Sequence, residues 1–305
     1  MWVEESGIID DMESDLGWTF SPAVQLIYAE ESARRRALEE RQMMGSMVRI
    51  ALTIFLSAAA WGQTQPPQTS SPPPNPSARP QFTPEQIEKY RKETEERQRN
   101  DWAWLARYRD ANAKLRDPAA GESRVVFIGD SITEAWPRDP QQFFPGKPYI
   151  GRGISGQTTP QILVRFQQDV VALKPVVVVI NAGTNDIAGN TGPSTLEMIE
   201  DNLKSMAQIA GANGIKVILA SVTPAYDYPW RQGLEPAEKI VALNEWMKSY
   251  CAQRSCIYCD YFTALADEKH AMKEGLSSDG VHPNNAGYAI MQRIAEKAIA
   301  HALAK

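Results

Sequence analysis

The sequence predicts a three-layer α/β sandwich with a parallel sheet, and two observations support this prediction. Short apolar runs with the length and composition of buried strands recur at residues 124–128, 148–151, 176–181, 216–221 and 256–260. Helical patterns lie between or after these runs, at residues 160–172, 195–212, 236–253 and 285–302. Alternating strands and helices favour parallel strands with helices on both faces of the sheet. We therefore expect one α/β domain with five strands.

The composition limits the classes of function. The chain has 305 residues and a formal net charge of −5 at pH 7. This length is sufficient for one or two domains with a stable core. No strongly basic region stands out, which disfavours nucleic acid as a partner.

Two segments near the N-terminus have compositions that do not favour a packed core. Residues 1–46 begin acidic, end in the charged run ARRRALEERQMM and lack an apolar pattern, so we expect a disordered tail. Residues 63–82 are rich in Pro, Ser and Gln, which predicts an extended linker. The folded part of the chain is therefore expected to begin after this linker.

Residues 47–62 have the parts of a secretory signal peptide. A basic residue, Arg49, precedes an apolar run that ends in small residues suited to cleavage. Because a signal peptide belongs at the N-terminus, we expect translation to start at Met47, or at Met43 or Met44. The alternative is a core helix or an uncleaved membrane anchor. Cleavage predicts an exported protein, periplasmic or extracellular, without stable membrane insertion.

A helical segment is predicted at residues 83–120, ahead of the domain at 121–305. Thr83 and Pro84 suit the cap and the first position of a helix, and the charges alternate to about Arg99, as on a solvated face. Three apolar or aromatic residues then follow at helical spacing: Trp102, Leu105 and Tyr108. We interpret them as a helix face that packs against the core rather than as a docking site.

The three cysteines lie close together in the sequence. In an exported protein Cys251 and Cys256 can form a small disulfide that joins a helix end to the next strand, and the sequence leaves this pairing open. Cys259 is then an odd thiol, expected to be buried within the strand. A zinc site is disfavoured because no histidine pattern accompanies these sulfurs.

A serine follows the first strand of the domain. The stretch VVFIGDSITEAW places Ser131 just after a glycine turn. Open α/β sheets carry their chemistry at the carboxyl ends of strands, which makes Ser131 a candidate nucleophile. The alternative is an ordinary loop in which Asp130 makes a turn and Ser131 caps a helix.

A histidine near the C-terminus has the surroundings of a general base. In SSDGVHPNNAGY, Asp279 can accept a hydrogen bond from one imidazole nitrogen of His282 while the other nitrogen faces outward. Pro283 suits a helix start that would fix the histidine. A serine nucleophile needs a base, so Ser131, His282 and Asp279 form a chemically sensible set. The alternative is a structural histidine beside a common Asp-Gly turn.

Two further positions can stabilise an oxyanion. The GRGISG stretch at 151–156 matches the spacing of dinucleotide-binding loops, but the next strand ends in Asn181, where an acid should meet the ribose. We interpret this turn instead as one that leaves the Gly156 N–H free for an oxyanion. After the third strand a second glycine turn presents Asn185 at the same sheet edge as Ser131.

The blocks GDSI, GISGQTT, GTND and DGVHP, in this order, resemble those of the SGNH hydrolase family, also called GDSL-type esterases, lipases and acylhydrolases. The resemblance implies a flavodoxin-like fold and needs no metal or organic cofactor. It implies that Ser131 is the nucleophile and that Asp279 and His282 complete the triad. The implied oxyanion donors are the N–H groups of Ser131 and Gly156 and the side chain of Asn185.

The resemblance implies two-step acyl transfer from an ester to water, and the substrate is a narrower prediction. The sequence shows no long apolar lid, so we expect short-chain acyl esters, such as acetyl esters of carbohydrates. The alternatives are a lysophospholipase or lipase-like acylhydrolase and a non-catalytic exported carbohydrate-binding module. Tyr226 and Trp230 lie in an aromatic segment, TPAYDYPWRQGL, that either contacts the substrate or only packs its own loop. The sequence does not predict an oligomeric state.

Overall fold

The computed structural model describes residues 84–304, and within this range the five predicted strands form one parallel sheet. The strands are β1 (Val125–Gly129), β2 (Tyr149–Gly153), β3 (Val177–Asn181), β4 (Lys216–Ala220) and β5 (Cys256–Cys259). Their order is β2-β1-β3-β4-β5, and every neighbouring pair is parallel. This is the flavodoxin-like order, in which ligands bind where the order reverses, beside β1 and β3. The predicted α/β sandwich is confirmed, whereas the predictions for residues 1–82 and for Thr83 as a helix cap lie outside the described residues.

Helices cover both faces of the sheet. The α-helices within residues 84–304 are α1 (Pro84–Asn100), α2 (Arg109–Ala113), α3 (Ser131–Ala135), α4 (Thr159–Asp169), α5 (Thr184–Ile187), α6 (Leu196–Ala212), α7 (Ala237–Gln253), α8 (Phe262–Leu265) and α9 (Asn285–Ala304). One face is covered mainly by α4, α6 and α7 and the other mainly by α9. Among residues 84–304, no helix is both long and apolar enough to cross a membrane.

Alternate side chains of each strand enter two separate cores. Val126 and Ile128 of β1 pack in the core that also contains the apolar faces of α4, α6 and α7. Val125 and Phe127 pack in the other core, with α9 and an aromatic group around Trp136. Every residue of β1 and β3 is buried, since helices lie on both sides. This two-sided burial is why both strands are continuous apolar runs in the sequence.

The stretch after α1 differs from the prediction. Residues 101–108 form turns rather than a helix, so the helical interpretation of Trp102, Leu105 and Tyr108 was wrong. The Asp101 carboxylate accepts hydrogen bonds from the backbone N–H groups of Leu105, at 2.6 Å, and Ala106, at 2.9 Å. A local side-chain acceptor of this kind competes with helical hydrogen bonds. Nearby Trp104 has a φ of 52°, a left-handed value that an α-helix does not contain.

The cysteine pairing that the sequence left open is present in the structure. Cys251 at the end of α7 and Cys256 at the start of β5 form a disulfide with their Cα atoms 4.8 Å apart. Cys259 is a free, buried thiol, as predicted. Burial raises the pKa of this thiol to about 12, so it remains protonated and unreactive at neutral pH.

Candidate active site

The turn after β1 holds Ser131 at the carboxyl edge of the sheet. A Cβ on Gly129 would lie 2.2 Å from the Asn181 carbonyl oxygen, so only glycine fits at the end of this strand. The next residue, Asp130, is buried, and its carboxylate accepts from the Ile132 N–H at 3.0 Å. Asp130 rather than Ser131 therefore caps α3. Ser131 is the first residue of this helix and is half-buried.

A chain of hydrogen bonds links Ser131 to the two residues predicted with it. Ser131 Oγ lies 2.9 Å from His282 Nε2, and His282 Nδ1 lies 2.8 Å from Asp279 Oδ2. The other Asp279 oxygen accepts from the backbone N–H groups of His282, at 2.9 Å, and Val281, at 3.0 Å. Partial burial acts to raise the pKa of Asp279, but these hydrogen bonds outweigh it and lower that pKa to about 2. Asp279 is therefore ionised at neutral pH.

The histidine loop is fixed from the following helix. The helix after His282, α9, begins at Asn285, as the sequence pattern predicts, two residues after Pro283. Asn284 precedes it, and its side-chain oxygen accepts from the Ala286 N–H at 2.9 Å, as a capping residue does. From the first turn of α9, the Tyr288 hydroxyl donates to the Ile132 carbonyl in α3 at 2.9 Å. The helix that follows His282 is thus tied directly to the helix that carries Ser131.

Three groups predicted as oxyanion donors lie at the carboxyl edges of β1, β2 and β3. The Ser131 N–H is at a helix N-terminus, where it has no intrahelical partner. Gly156 is exposed in the loop after β2 and has a φ of +78°, which favours glycine. Asn185 is buried in α5, and its Nδ2 donates to the Gln157 carbonyl at 3.0 Å. That bond uses one of its two N–H groups and leaves the second available.

Two residues that contact the loop of Gly156, Glu134 and Asn190, have no signal in the sequence that marks them as part of the site. The Glu134 carboxylate in α3 accepts from the Ser155 N–H at 2.9 Å and from the Ser155 hydroxyl. Partial burial acts to raise the pKa of Glu134, but the hydrogen bonds from Ser155 and Arg107 lower it. Asn190, in the loop after α5, contacts the same loop from the other side and donates to the Gly156 carbonyl at 3.1 Å.

Asp186, the last residue of the GTND block, holds α4 against α5. Its carboxylate accepts from the Thr159 N–H at 2.9 Å and from the Thr159 hydroxyl at 2.6 Å. Burial nevertheless raises the pKa of Asp186 to about 6. Its contacts are structural, since they join the first turn of α4 to the turn that carries Asn185.

The aromatic residues of the loop after β4 divide into two kinds. The Trp230 ring centroid lies 6.0 Å from that of His282, and 46% of the residue is exposed. Tyr228 is fully buried beneath Trp230, and its hydroxyl lies 2.9 Å from Thr184 Oγ1. Tyr226 is 61% exposed. Trp230 therefore borders the site, whereas Tyr228 packs the loop down.

Within residues 84–304, His, Cys, Asp and Glu side chains do not form a group of three or more suited to holding a metal ion. A serine hydroxyl, an imidazole and a carboxylate in one hydrogen-bonded series are the arrangement of serine hydrolases. Together with the α/β sheet, this arrangement indicates the class of protein: a hydrolase.

Comparison with known proteins identifies the family within that class. Residues 127–290 match the GDSL-like lipase/acylhydrolase family, and the chain belongs to it. It is 29% identical over 181 residues to esterase TesA of Pseudomonas aeruginosa, an alignment that covers 55% of this chain and 83% of that one. The family and this relative make the protein a hydrolase that acts on ester bonds.

Two solved structures from Bacteroides resemble the chain more closely in sequence. A Bacteroides fragilis protein, described as an acylhydrolase, is 43% identical, with a TM-score of 0.65 over 67% of this chain and 99% of its own. A GDSL-like lipase from Bacteroides thetaiotaomicron is 45% identical, with a TM-score of 0.64 over 66% of this chain and all of its own. Both support the family fold.

Proposed function

We propose that the protein is a serine esterase that hydrolyses short-chain acyl esters through an acyl-enzyme intermediate on Ser131. The observation that carries this proposal is the hydrogen-bonded series from Ser131 through His282 to Asp279, with distances of 2.9 and 2.8 Å. Both distances are those expected between a nucleophile, its base and the group that orients the base.

The first half of the reaction forms the acyl-enzyme. His282 Nε2 takes the proton of Ser131 as Oγ attacks the ester carbonyl, and Asp279 stabilises the resulting imidazolium without taking its proton. The N–H groups of Ser131 and Gly156 and the Asn185 amide donate to the tetrahedral oxyanion. When the intermediate collapses, His282 gives its proton to the departing alcohol and the acyl group remains on Ser131.

The second half releases the acid. Water attacks the acyl carbonyl while His282 takes a proton from that water. A second oxyanion forms and accepts hydrogen bonds from the same donors. The intermediate then expels Ser131 Oγ, which regains its proton from His282. The products are one carboxylic acid and the free enzyme.

The surroundings of the triad support a small acyl group on a polar alcohol. Ser131 is half-buried, and 34% of the His282 side chain is exposed, so the site is open to solvent. In the described loop between β4 and α7, Tyr226 and Trp230 are the exposed large apolar side chains. Two separate aromatics are a small surface for a long acyl chain, whereas an exposed indole beside the imidazole can stack on a sugar ring. Acetyl esters of carbohydrates are therefore the substrates we propose.

Export of the protein is a related proposal. It rests on the signal-like composition of residues 47–62 and is supported by the Cys251–Cys256 disulfide, because such bonds persist in oxidising compartments. Mass spectrometry of the mature N-terminus from the native host tests it. A chain that retained residues 1–62 would refute cleavage.

The experiment that tests the esterase proposal is hydrolysis of a p-nitrophenyl ester series from acetate to palmitate. We expect a maximum at the short esters and almost no turnover by Ser131→Ala, since triad members act as a unit. The matched control is Ser205→Ala, which removes a hydroxyl that donates to the Asp201 carbonyl on the exposed face of α6.

The outcomes separate the candidate functions. A maximum at long chains would favour a lipase-like activity, as in the relative described as a lipase. Ligand binding without hydrolysis of any ester would favour a carbohydrate-binding module. Near-normal activity of Ser131→Ala would refute the assignment of the nucleophile.

A further inference from the structure

One side chain outside the predicted site contacts both loops that carry oxyanion donors. The Nδ2 of Asn190 donates to Asn185 Oδ1 at 2.9 Å and to the Gly156 carbonyl at 3.1 Å. An amide nitrogen has two hydrogens, so this group spends its donor capacity on these two contacts. Both partners belong to residues that we propose as oxyanion donors.

The contact with Asn185 determines which way that amide faces. A side-chain amide has a donor end and an acceptor end, and turning it by 180° exchanges them. Oδ1 of Asn185 receives the Asn190 hydrogen bond, while its Nδ2 donates to the Gln157 carbonyl. The two bonds together fix one orientation of the Asn185 amide. In this orientation its second N–H can donate to an oxyanion. Without Asn190, only the hydrogen bond to the Gln157 carbonyl would hold the Asn185 amide in this orientation.

The contact with Gly156 restrains a backbone that is otherwise free to move. Gly156 is exposed and lacks a side chain to hold it in place. Its own N–H belongs to the peptide between Ser155 and Gly156. Glu134 holds the N–H and the hydroxyl of Ser155 on one side of that peptide, and Asn190 holds the carbonyl of Gly156 on the other. The direction of the Gly156 N–H is therefore set from both sides.

Asn190 is itself held in place by the backbone around it. Its N–H donates to the Asn185 carbonyl at 3.0 Å, which closes the turn after α5. The Arg231 guanidinium donates to the carbonyls of Ala188, at 2.6 Å, and Gly189, at 2.7 Å, just before Asn190. A donor on a restrained loop can align its partners before substrate arrives, as electrostatic stabilisation of a transition state requires.

We propose that Asn190 is a positioning residue that aligns the Gly156 N–H and the Asn185 amide toward one oxyanion. This inference rests on the proposed function, because it assumes that Gly156 and Asn185 are the donors. Asn190 acts through them and is not itself in contact with the reacting atoms. Its side chain is exposed, so its removal leaves no cavity in the core.

The test begins with Asn190→Ala on p-nitrophenyl acetate, using the full chain. We expect kcat to fall by about 10- to 100-fold with little change in KM, because a small misplacement of catalytic groups costs up to about 10²-fold. The melting temperature should stay within about 2 °C of the wild type, as for most exposed substitutions. The control is Asn213→Ala, another exposed asparagine, whose Nδ2 donates to the Ile209 carbonyl at 2.8 Å. We expect this control to retain wild-type kcat.

Two further variants distinguish positioning from a general structural effect. In an Asn185→Ala background, Asn190→Ala should lower kcat by a much smaller factor than in the wild type, since one of the two groups that Asn190 aligns is already absent. Asn190→Asp places a carboxylate, which accepts but does not donate, against two acceptor oxygens. It should therefore be slower than Asn190→Ala at neutral pH and should regain activity relative to it as the pH falls and the new acid is protonated.

The results that would refute this inference differ from those that would refute the proposed function. If Asn190→Ala keeps kcat within twofold, or loses the same factor with and without Asn185, the positioning role is wrong. If Asn185→Ala itself keeps full activity, the oxyanion assignment is wrong and the positioning role with it. Near-normal turnover by Ser131→Ala would instead refute the proposed function at its nucleophile.

Discussion

Replacing Arg165 by methionine should remove about 3–5 kcal/mol from the free energy of unfolding, because breaking a buried ion pair on one side leaves an uncompensated charge. Arg165 lies in α4 and is fully buried, as is its ion-pair partner Asp169, 3.1 Å away. The same guanidinium donates to three other acceptors, all within 2.9 Å: Gln157 Oε1 and the carbonyls of Arg152 and Gly129.

The structure shows why the loss should be this large. Burial lowers the pKa of Arg165, and the nearby Asp169 carboxylate opposes that shift, so the charge is maintained by its partners. Without it, Asp169 keeps a hydrogen bond from Asn112 Nδ2, at 2.7 Å, but loses the cation that it contacts directly. The Gly129 carbonyl keeps a hydrogen bond from the Ile154 N–H at 3.0 Å. Any other buried acceptor that is left without a donor adds a cost of about 1–3 kcal/mol, although such costs are not additive. Domains are typically stable by only about 5–15 kcal/mol, so the effect should be readily measured.

The assay is urea denaturation at pH 7 of the wild type, Arg165→Met and the double variant Arg165→Met/Asp169→Leu. The double variant should recover part of the loss, because it no longer buries a lone carboxylate. Lys174→Ala is the control, since its 2.7 Å pair with Asp117 is exposed and should contribute little to stability. A loss below about 1 kcal/mol for Arg165→Met, or a double variant no more stable than the single one, would refute this reasoning.

Two further variants test the site and its surroundings. Burial raises the pKa of Asp130 from 3.8 to about 6, so the stability from its protonated form is complete below pH 3.8 and is lost as the pH rises through 6. Asp130→Asn should therefore reduce the fall in unfolding free energy between pH 4 and 6 by about 2 kcal/mol, measured by urea titration at each pH. The fall due to Asp186 should remain, and an unchanged slope would contradict the burial effect. Trp230→Ala should raise KM for an acetylated oligosaccharide by up to about tenfold, and by less for p-nitrophenyl acetate, since ring stacking contributes about 0.5–1.5 kcal/mol. Equal changes in both KM values would exclude a sugar platform.

The strands and the predicted site residues could be read from the sequence because each depends on local pattern. A strand buried on both faces is a continuous apolar run, and a side chain at its carboxyl end follows a turn marked by glycine. Ser131 and Asn185 both follow such turns, so their shared edge of the sheet is predictable from topology alone. Asp279 and His282 are three residues apart, and their contact needs only one tight turn.

The residues that hold the site together depend instead on tertiary contacts. Glu134 and Asn190 are ordinary polar residues in the sequence, and their partners are identified only when α3, the loop after β2 and the loop after α5 meet. Arg165 sits in a helix whose apolar pattern predicts a core face, and nothing in that pattern indicates a buried cation. The turn at residues 101–108 was missed because helical spacing does not reveal that the Asp101 carboxylate captures two backbone N–H groups.

The turn at residues 101–108 supports the proposed site, although it lies before the part of the chain that matches the family. The match begins at residue 127, yet residues 101–108 contact the loop after β2 and the end of that strand. The Ala103 carbonyl accepts from Gln157 Nε2 at 2.7 Å, and the Tyr108 hydroxyl donates to the Gly153 carbonyl. Strand β2 is at the edge of the sheet, where a strand lacks a second neighbour to hold it. The Gln157 carbonyl also accepts a hydrogen bond from Asn185, a proposed oxyanion donor. Gln157 therefore links this turn to that donor. The part of the chain that matches the family carries the proposed nucleophile and base, and we expect the alignment of the proposed oxyanion donors to depend also on the residues before it.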